Sequence, residues 1–493
     1  MNVRRISGAL LNHLAGSIVP NLLQCLLQTS VFHAPLFRIL DRRLNRALAR
    51  SHQRIQRERL LMMRAIASSV NRLTTNRQIS SHVLRVILRL WGRVLLDSWR
   101  ERPQAKRFRE KFGAAPPWFL VVAPTQVCNL HCHDCYADAN AISSYLSWPV
   151  LNRILAEAQA LWAAPLVVFS GGEPLAYRDQ GKDIWDLLEN HHDLLSLVFT
   201  NGTLIDRRVA QRMASLGNVT PAVSVEGLQE RTDARRGPGT FLRILEAMAL
   251  LRLSGVPFGI SVTVTAENLM EVTSDEFLEF FFTQQGAFYG FLFHYMPIGR
   301  APNFKSIPTP AQRLELWCRT WKIIEEKRFF LFDFWNHGPI ADGCLSAGRG
   351  GGYLYINGDG KVMPCVFAPY SAANISEIYQ TGGNLNDAWR SPLFAAIRQW
   401  QTGYRVGLGP RREGNLLSPC PIRDHYPIFR EWIDRFQPQP ENQAAQNALA
   451  DSQYTACLSA YGQDLACLST PLWQKEYLGR CPPFANRGLP FLG

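Results

Sequence analysis

Three cysteines fall within eight residues in the stretch Cys128-Asn129-Leu130-His131-Cys132-His133-Asp134-Cys135. Thiols this crowded in a long chain do not suit a disulfide framework; they suit a soft metal centre in a reducing compartment. Two centres fit the spacing. One is an iron–sulfur cluster held at three irons, which leaves the fourth open to a ligand that is not protein. The other is zinc, with His131 or His133 completing the ligand set.

Such a loop needs elements to position it. From residue 118 onward, short apolar runs at 119–123, 166–170, 195–200, 220–225, 258–264 and 288–294 alternate with helical patterns at 149–162, 184–189, 206–216, 241–253 and 268–282. Strand-then-helix repeats of this kind imply parallel strands joined by crossover helices, in an open sheet or a partial barrel. Chemistry in such folds gathers at the carboxyl ends of strands, and the cysteine loop follows the first run. Further on, a helical pattern at 310–326 precedes a Gly-rich stretch at 348–352. A hairpin signal follows, with Asn357-Gly358-Asp359-Gly360 between β-prone residues. The polar stretch 437–453, opened by Pro438 and Pro440, reads as a linker. Beyond it, Cys457, Cys467 and Cys481 carry no further signal.

The second run ends in Ser170-Gly171-Gly172-Glu173-Pro174. A Cys-x3-Cys-x2-Cys loop after strand one, followed by Gly-Gly-Glu-Pro after strand two, resembles the radical S-adenosylmethionine (radical SAM) superfamily over residues 115–305. Thr200-Asn201-Gly202, Ser224-Val225-Glu226-Gly227, Arg236-Gly237, Gly239-Thr240-Phe241 and Pro297-Ile298-Gly299 fit the same pattern at later strand ends. The resemblance implies that Cys128, Cys132 and Cys135 are the catalytic ligands of a 4Fe-4S cluster whose open iron is chelated by S-adenosylmethionine. An electron from a donor such as flavodoxin or ferredoxin would then release a 5′-deoxyadenosyl radical that abstracts hydrogen from substrate. By the family's pattern Gly171, Gly172 and Glu173 meet the methionine amino group, where backbone without side chains permits close approach. Ser224 and Arg236 hold the carboxylate or ribose, the Arg fork suiting a carboxylate, and Arg235 is the other candidate for that role. Thr200, Asn201 and Thr263 are further candidates that equally suit helix capping. His294 and Tyr295 point toward the substrate position, although a lone strand histidine is commonly a satisfied structural residue. Cys318, beside Trp317 and Trp321 on a helical pattern, reads as core.

Downstream the chain resembles the SPASM or shortened twitch extensions of one branch, which hold auxiliary clusters. Cys344 precedes the hairpin signal, Cys365 closes it in Gly360-Lys361-Val362-Met363-Pro364-Cys365, and Cys420 follows in Ser418-Pro419-Cys420. A full SPASM region has enough cysteines for two clusters; these three imply one auxiliary 4Fe-4S cluster. A distant Cys, Asp424, His425 or substrate could fill its fourth position. The expected fold class is therefore α/β: a partial (β/α)6 TIM-like barrel at 114–305, a small α+β auxiliary domain at 306–436, a linker and tail at 437–493, and a basic α-helical region at 1–113.

Length and charge limit the function classes. With 493 residues and 47% hydrophobic content, the chain is neither a single small module nor wholly disordered. Its net charge of +13 is concentrated at the start, where residues 1–113 hold 22 Lys and Arg against 5 Asp and Glu. That asymmetry suits nucleic acid, anionic lipid or an acidic partner, and equally a solvated helical extension. Between 81 and 100, Arg85, Arg89 and Arg93 share one helical face and Leu84, Ile87, Leu88, Trp91, Leu95 and Trp99 another. Such a helix packs on its own domain or lies in a membrane interface. The apolar segment 9–32 is too interrupted to span a bilayer, so a cytoplasmic protein, peripheral to the membrane at most, is expected. The acid-poor start has the composition of a transit peptide but is long for one. The substrate expected first is a membrane-associated lipid or anionic metabolite. The alternative is a ribosomally made peptide, although the stranded winged-helix domain of many such enzymes has no counterpart pattern in residues 1–113. A non-catalytic zinc or Fe-S module binding nucleic acid is the remote alternative, and it leaves Gly171-Gly172-Glu173-Pro174 unexplained.

Overall fold

The structure, a computed structural model, describes residues 30–96, 102–141, 143–405 and 414–479. Its centre is a parallel sheet of β1 (Phe119–Val122), β2 (Leu166–Phe169), β3 (Leu195–Thr200), β4 (Val219–Val225), β5 (Gly259–Val264) and β6 (Tyr289–His294), lying side by side in sequence order. Strands covered on both sides read as continuous apolar runs, which is why each was visible in the sequence. Helices Trp148–Trp162, Ile184–Asn190, Arg207–Leu216, Gln229–Arg236 and Thr240–Ser254 make the crossovers, and one packed core runs through the sheet and its helices. Among the described residues the strands follow one another in a linear order, in keeping with the expected α/β partial barrel.

The sheet extends past the division expected at residue 305. β7 (Leu331–Asp333) adds parallel to β6, with Gly290 opposite Leu331. At the other edge the hairpin β8 (Tyr355–Ile356) and β9 (Lys361–Met363) joins β1, Val121 standing opposite Tyr355, and β10 (Ala373–Asn374) closes the edge. Cys344 and Cys365 thus flank an element hydrogen-bonded to the strand that launches the first cysteine loop.

The stretch read as a linker is packed. Gln439 and Pro440 pair with Ser371 and Tyr370, and helices Gln443–Ala450 and Ser452–Glu476 follow. The last helix lies against helices Pro310–Lys322 and Tyr426–Phe436. Gly462 permits that contact, because a Cβ there would sit 2.4 Å from the carbonyl oxygen of Asp424. The tail therefore braces the segment carrying Cys420. Polar composition and two prolines resemble a linker, but tertiary packing decided otherwise. Cys481 lies outside the described residues.

Residues 30–112 form helices Ser30–Arg50, Arg54–Thr75, Ser81–Leu96 and Pro103–Phe112. Several arginines of this region are engaged by the body of the protein itself: Arg57 pairs with Glu325, Arg64 donates to the Glu325 carbonyl at 2.6 Å, and Arg72 donates to the Arg328 carbonyl at 3.3 Å. The helix Ser81–Leu96 buries Val83, Leu84, Val86 and Leu90, while Trp91 of the expected stripe is 41% exposed. Val86 packs against Gly217, so this helix rests on its own protein. The segment 9–29 and Trp99 lie outside the described residues.

Candidate functional site

Every expected site residue of the first group stands at the carboxyl end of the parallel strands and lines one cavity of about 400 Å³: Cys128, Cys132, Cys135, Gly171, Gly172, Glu173, Thr200, Asn201, Ser224, Thr263 and Arg236. The cysteine loop leaves β1 as an irregular turn held from several sides. Asn140 brackets Cys128, accepting from its N–H and donating to its carbonyl, both at 2.8 Å. Arg300 donates to the Cys132 carbonyl at 2.9 Å, and its own N–H reaches the Cys135 carbonyl at 2.9 Å. The three thiols are half-buried. Burial pushes the Cys128 thiol up to about 11.

The glycines of the second loop are dictated by that first loop. A Cβ on Gly171 would lie 2.3 Å from Ala123 Cβ, and one on Gly172 would lie 2.3 Å from the Val127 carbonyl oxygen. Gly171 also has φ +106°, a conformation that disfavours any side chain. The Gly172 N–H donates to Thr125 O at 3.0 Å and that of Glu173 to Val127 O at 2.9 Å, so the two loops are laced together. The Glu173 carboxylate is 1% exposed and fully engaged: it accepts from Thr200 Oγ1 at 2.7 Å, Asn201 N at 2.8 Å and Leu175 N at 3.1 Å. Burial raises its pKa above the usual carboxylate range. Thr200 and Asn201 thus fix the carboxylate, and the Asn201 amide sits 3.8 Å from Cys128 Sγ.

Two arginines converge on one carboxylate beside this loop. Arg236 donates to Glu226 Oε1 through Nε at 3.0 Å and Nη2 at 2.5 Å, and Arg235 Nη1 lies 2.8 Å from the same oxygen. Arg235 also donates to the carbonyls of His133 and Asp134. Both arginines line the cavity, and Arg235 in addition ties down the cysteine loop. Glu226 Oε2 is buried without a partner. Burial opposes the Arg236 charge, but the Glu226 carboxylate outweighs it and holds the pKa above the ordinary value.

The cavity is polar at this mouth and aromatic inside. Alternate residues of β6 and β7 point the same way, which brings Phe291, Phe293 and Phe332 to the wall with Phe199, Phe334 and Phe367. His294 closes β6 fully buried, its Nε2 2.9 Å from Asp333 Oδ1 and its ring stacked on Trp335, and it lines the same cavity. Burial lowers its pKa. Tyr295 lines the cavity as well, and its hydroxyl accepts from Asn303 N at 2.9 Å. Cys318 is half-buried against the core, as its pattern implied.

Cys344, Cys365 and Cys420 line a second, much smaller cavity of about 30 Å³. Two buried arginines flank it with donors unsatisfied, Arg349 through Nε and Arg423 through Nη1 and Nη2. Arg423 lies 3.3 Å from Asp424 and over the rings of Trp335 and Tyr461. Asp424 also receives Arg313 at 2.6 and 3.1 Å and the Cys420 N–H at 3.1 Å. Buried cations left short of acceptors beside three thiols fit a centre that brings negative charge, as a thiolate-bound cluster does. The same bonds remove Asp424 from the candidates for a fourth ligand, because turning it to iron would strand two buried guanidinium groups. His425 is likewise engaged, on the Ser418 carbonyl at 2.9 Å.

Zinc gains no support at the first loop. His133 is turned outward with its side chain 70% exposed, paired to Asp134. The sequence reading missed Asn140 and Arg300, whose partners are mostly backbone carbonyls and leave no motif. The one available signal was Gly299, where a Cβ would lie 2.3 Å from the Cys135 carbonyl oxygen.

Residues 122–278 match the radical SAM superfamily. The chain is 27% identical over 282 residues to the AdoMet-dependent heme synthase of Methanosarcina barkeri, covering 51% of this chain and 78% of the relative. It is 28% identical over 318 residues to the mycofactocin maturase of Mycobacterium tuberculosis, covering 61% and 78%. Among solved structures, Streptococcus suis SuiB bound to S-adenosylmethionine aligns with TM-score 0.49 at 18% identity, over 68% of this chain and 77% of that one. Residues 122–278 thus carry a radical SAM domain, and over 51–61% of its length the chain is similar to AdoMet-dependent heme synthases and mycofactocin maturases.

Proposed function

We propose that this protein is a radical SAM enzyme that modifies a ribosomally made peptide. The observation that carries the reading is the single cavity that joins the Cys128, Cys132 and Cys135 loop to an aromatic interior. With a 4Fe-4S cluster and S-adenosylmethionine bound, the site would supply a 5′-deoxyadenosyl radical that takes hydrogen from the substrate. The chain's own part is to place and shield. Cys128, Cys132 and Cys135 would hold the cluster, Arg300 and Asn140 fix their loop, and Gly171 and Gly172 let backbone approach the methionine amino group. Glu173 acts there through the loop it anchors, its carboxylate being occupied. Ser224 and Arg236 would meet the carboxylate or ribose. The phenylalanine wall excludes water and accepts an apolar or aromatic side chain. Cys344, Cys365 and Cys420 would hold an auxiliary 4Fe-4S cluster, and a flavodoxin- or ferredoxin-type protein would deliver electrons.

The maturase relatives favour a peptide substrate. The lipid reading draws less from the basic start than its charge suggested, since Arg57 and Arg64 are engaged by Glu325 and the helix Ser81–Leu96 is packed. Among the described residues no helix is long and apolar enough to cross a membrane. A second reading, an iron tetrapyrrole in the same cavity, is favoured by the heme synthase relatives. The test is anaerobic incubation of reconstituted protein with S-adenosylmethionine, dithionite and candidate peptides encoded near the gene. A substrate-dependent mass change in a peptide supports the proposal. Turnover of an iron coproporphyrin and of no peptide overturns the peptide assignment.

A further inference from the structure

The two cavities meet at one wall. They share Phe334, Leu345, Tyr353 and Phe367. Of these, Tyr353 alone offers a polar side-chain atom, and its hydroxyl lies 3.0 Å from Cys365 Sγ. The residue is 2% exposed, and its ring stacks on Phe119 of β1 with centroids 5.0 Å apart. The phenol is thus fixed by the sheet on one side and faces an auxiliary cysteine on the other. Once Cys365 is a metal-bound thiolate, the phenol holds the only proton of the pair and must be the donor.

We propose that Tyr353 is a tuning residue: its O–H···S bond sets the reduction potential of the auxiliary cluster, and its ring is the polar-tipped part of the wall between that cluster and the substrate cavity. The inference rests on the auxiliary cluster proposed above. A hydrogen bond to a cluster sulfur favours the more negative, reduced state and so raises the potential. It also gives a physical reason for a polar group in an otherwise apolar partition.

The experiment is an anaerobic redox titration followed by electron paramagnetic resonance, in protein carrying Cys128→Ala, Cys132→Ala and Cys135→Ala, so that the auxiliary cluster is the only one present. Tyr353→Phe keeps the ring and removes the donor, and the midpoint potential should fall relative to the same background. Replacing Tyr353 by 3-fluorotyrosine, a stronger donor of nearly equal shape, should raise it. Opposite shifts from two near-isosteric rings are not the outcome of a merely structural role. Unchanged midpoints in both variants, with about four iron per chain retained, overturn the tuning role and leave the cluster standing. Loss of the iron on Tyr353→Phe overturns it also, by making the hydroxyl a requirement for assembly. A background protein that binds no iron overturns the auxiliary-cluster reading itself.

Discussion

Around Cys128, Cys132 and Cys135, Arg235 and Arg236 share the carboxylate of Glu226; around Cys344, Cys365 and Cys420, Arg313 and Arg423 share that of Asp424. At each triad two guanidinium groups thus share one carboxylate, in addition to Arg300 and Glu173 at the first and Arg349 at the second. The difference lies in access. Side-chain exposure is 18%, 13% and 3% for Arg235, Arg236 and Glu226, and 0% for Arg313, Arg423 and Asp424. The first triad opens on a cavity of about 400 Å³ with donors at its mouth; the second encloses about 30 Å³. Under the proposed function these two settings would suit two tasks, binding a small molecule where there is room and holding charge where there is little.

The strongest way to break this comparison is to remove one triad at a time. Cys344→Ala, Cys365→Ala and Cys420→Ala together should lower reconstituted iron from about eight to about four per chain, with S-adenosylmethionine binding retained in equilibrium dialysis. Loss of that binding would make the triads one site. Next in size is the effect of the shared carboxylates. Asp424→Ala strands two fully buried guanidinium groups and should cost about 3–5 kcal/mol in chemical unfolding, whereas Glu226→Ala, with partly wet arginines, should cost about 1–2 kcal/mol. Equal costs would deny the difference in access.

A smaller effect sharpens the open side. Gly172→Ala pushes a Cβ against the Val127 carbonyl, and the cheapest relief moves the Cys128 loop. Stability should fall by about 1–3 kcal/mol, and iron at the first triad should fall while the second keeps its own. The last test reads a pH dependence, at a buried histidine next to β7. Burial carries the His337 pKa down to about 4, so the native protein holds it neutral while the unfolded chain protonates near its ordinary value. Its contribution is complete above about pH 6.5 and is lost as pH falls toward 4, where the unfolded state binds the extra proton. Burial alone would raise the nearby Asp333, but the His294 imidazole outweighs it and holds the carboxyl below the usual range, so its own loss comes at lower pH still. His337→Phe should flatten the pH dependence of the unfolding midpoint between pH 4 and 6.5 and leave it unchanged above.

Much of this was legible because buried parallel strands betray themselves. The six apolar runs became β1 to β6 within a residue or two, and the motif residues fell at their carboxyl ends as chain order requires. What was not legible depended on tertiary packing. β7 is only Leu331–Asp333, too short to stand out from its surroundings. Residues 437–453 carry linker composition yet pair with Tyr370 and Ser371 and lead into the helix that braces Asp424. Counting helical period placed Trp91 on the apolar stripe, but the helix buries Val83 and Val86 and leaves Trp91 exposed, Val86 seating closely against Gly217. Arg423 looked unremarkable in Pro421-Ile422-Arg423-Asp424; its meaning came only with burial beside Cys420.

The central claim is that the open triad is where S-adenosylmethionine is cleaved. Chromatographic detection of 5′-deoxyadenosine after anaerobic incubation with dithionite tests it most directly. The product should accumulate with the reconstituted protein and drop to background when Cys128, Cys132 and Cys135 are changed to Ala; its persistence in that variant would contradict the assignment.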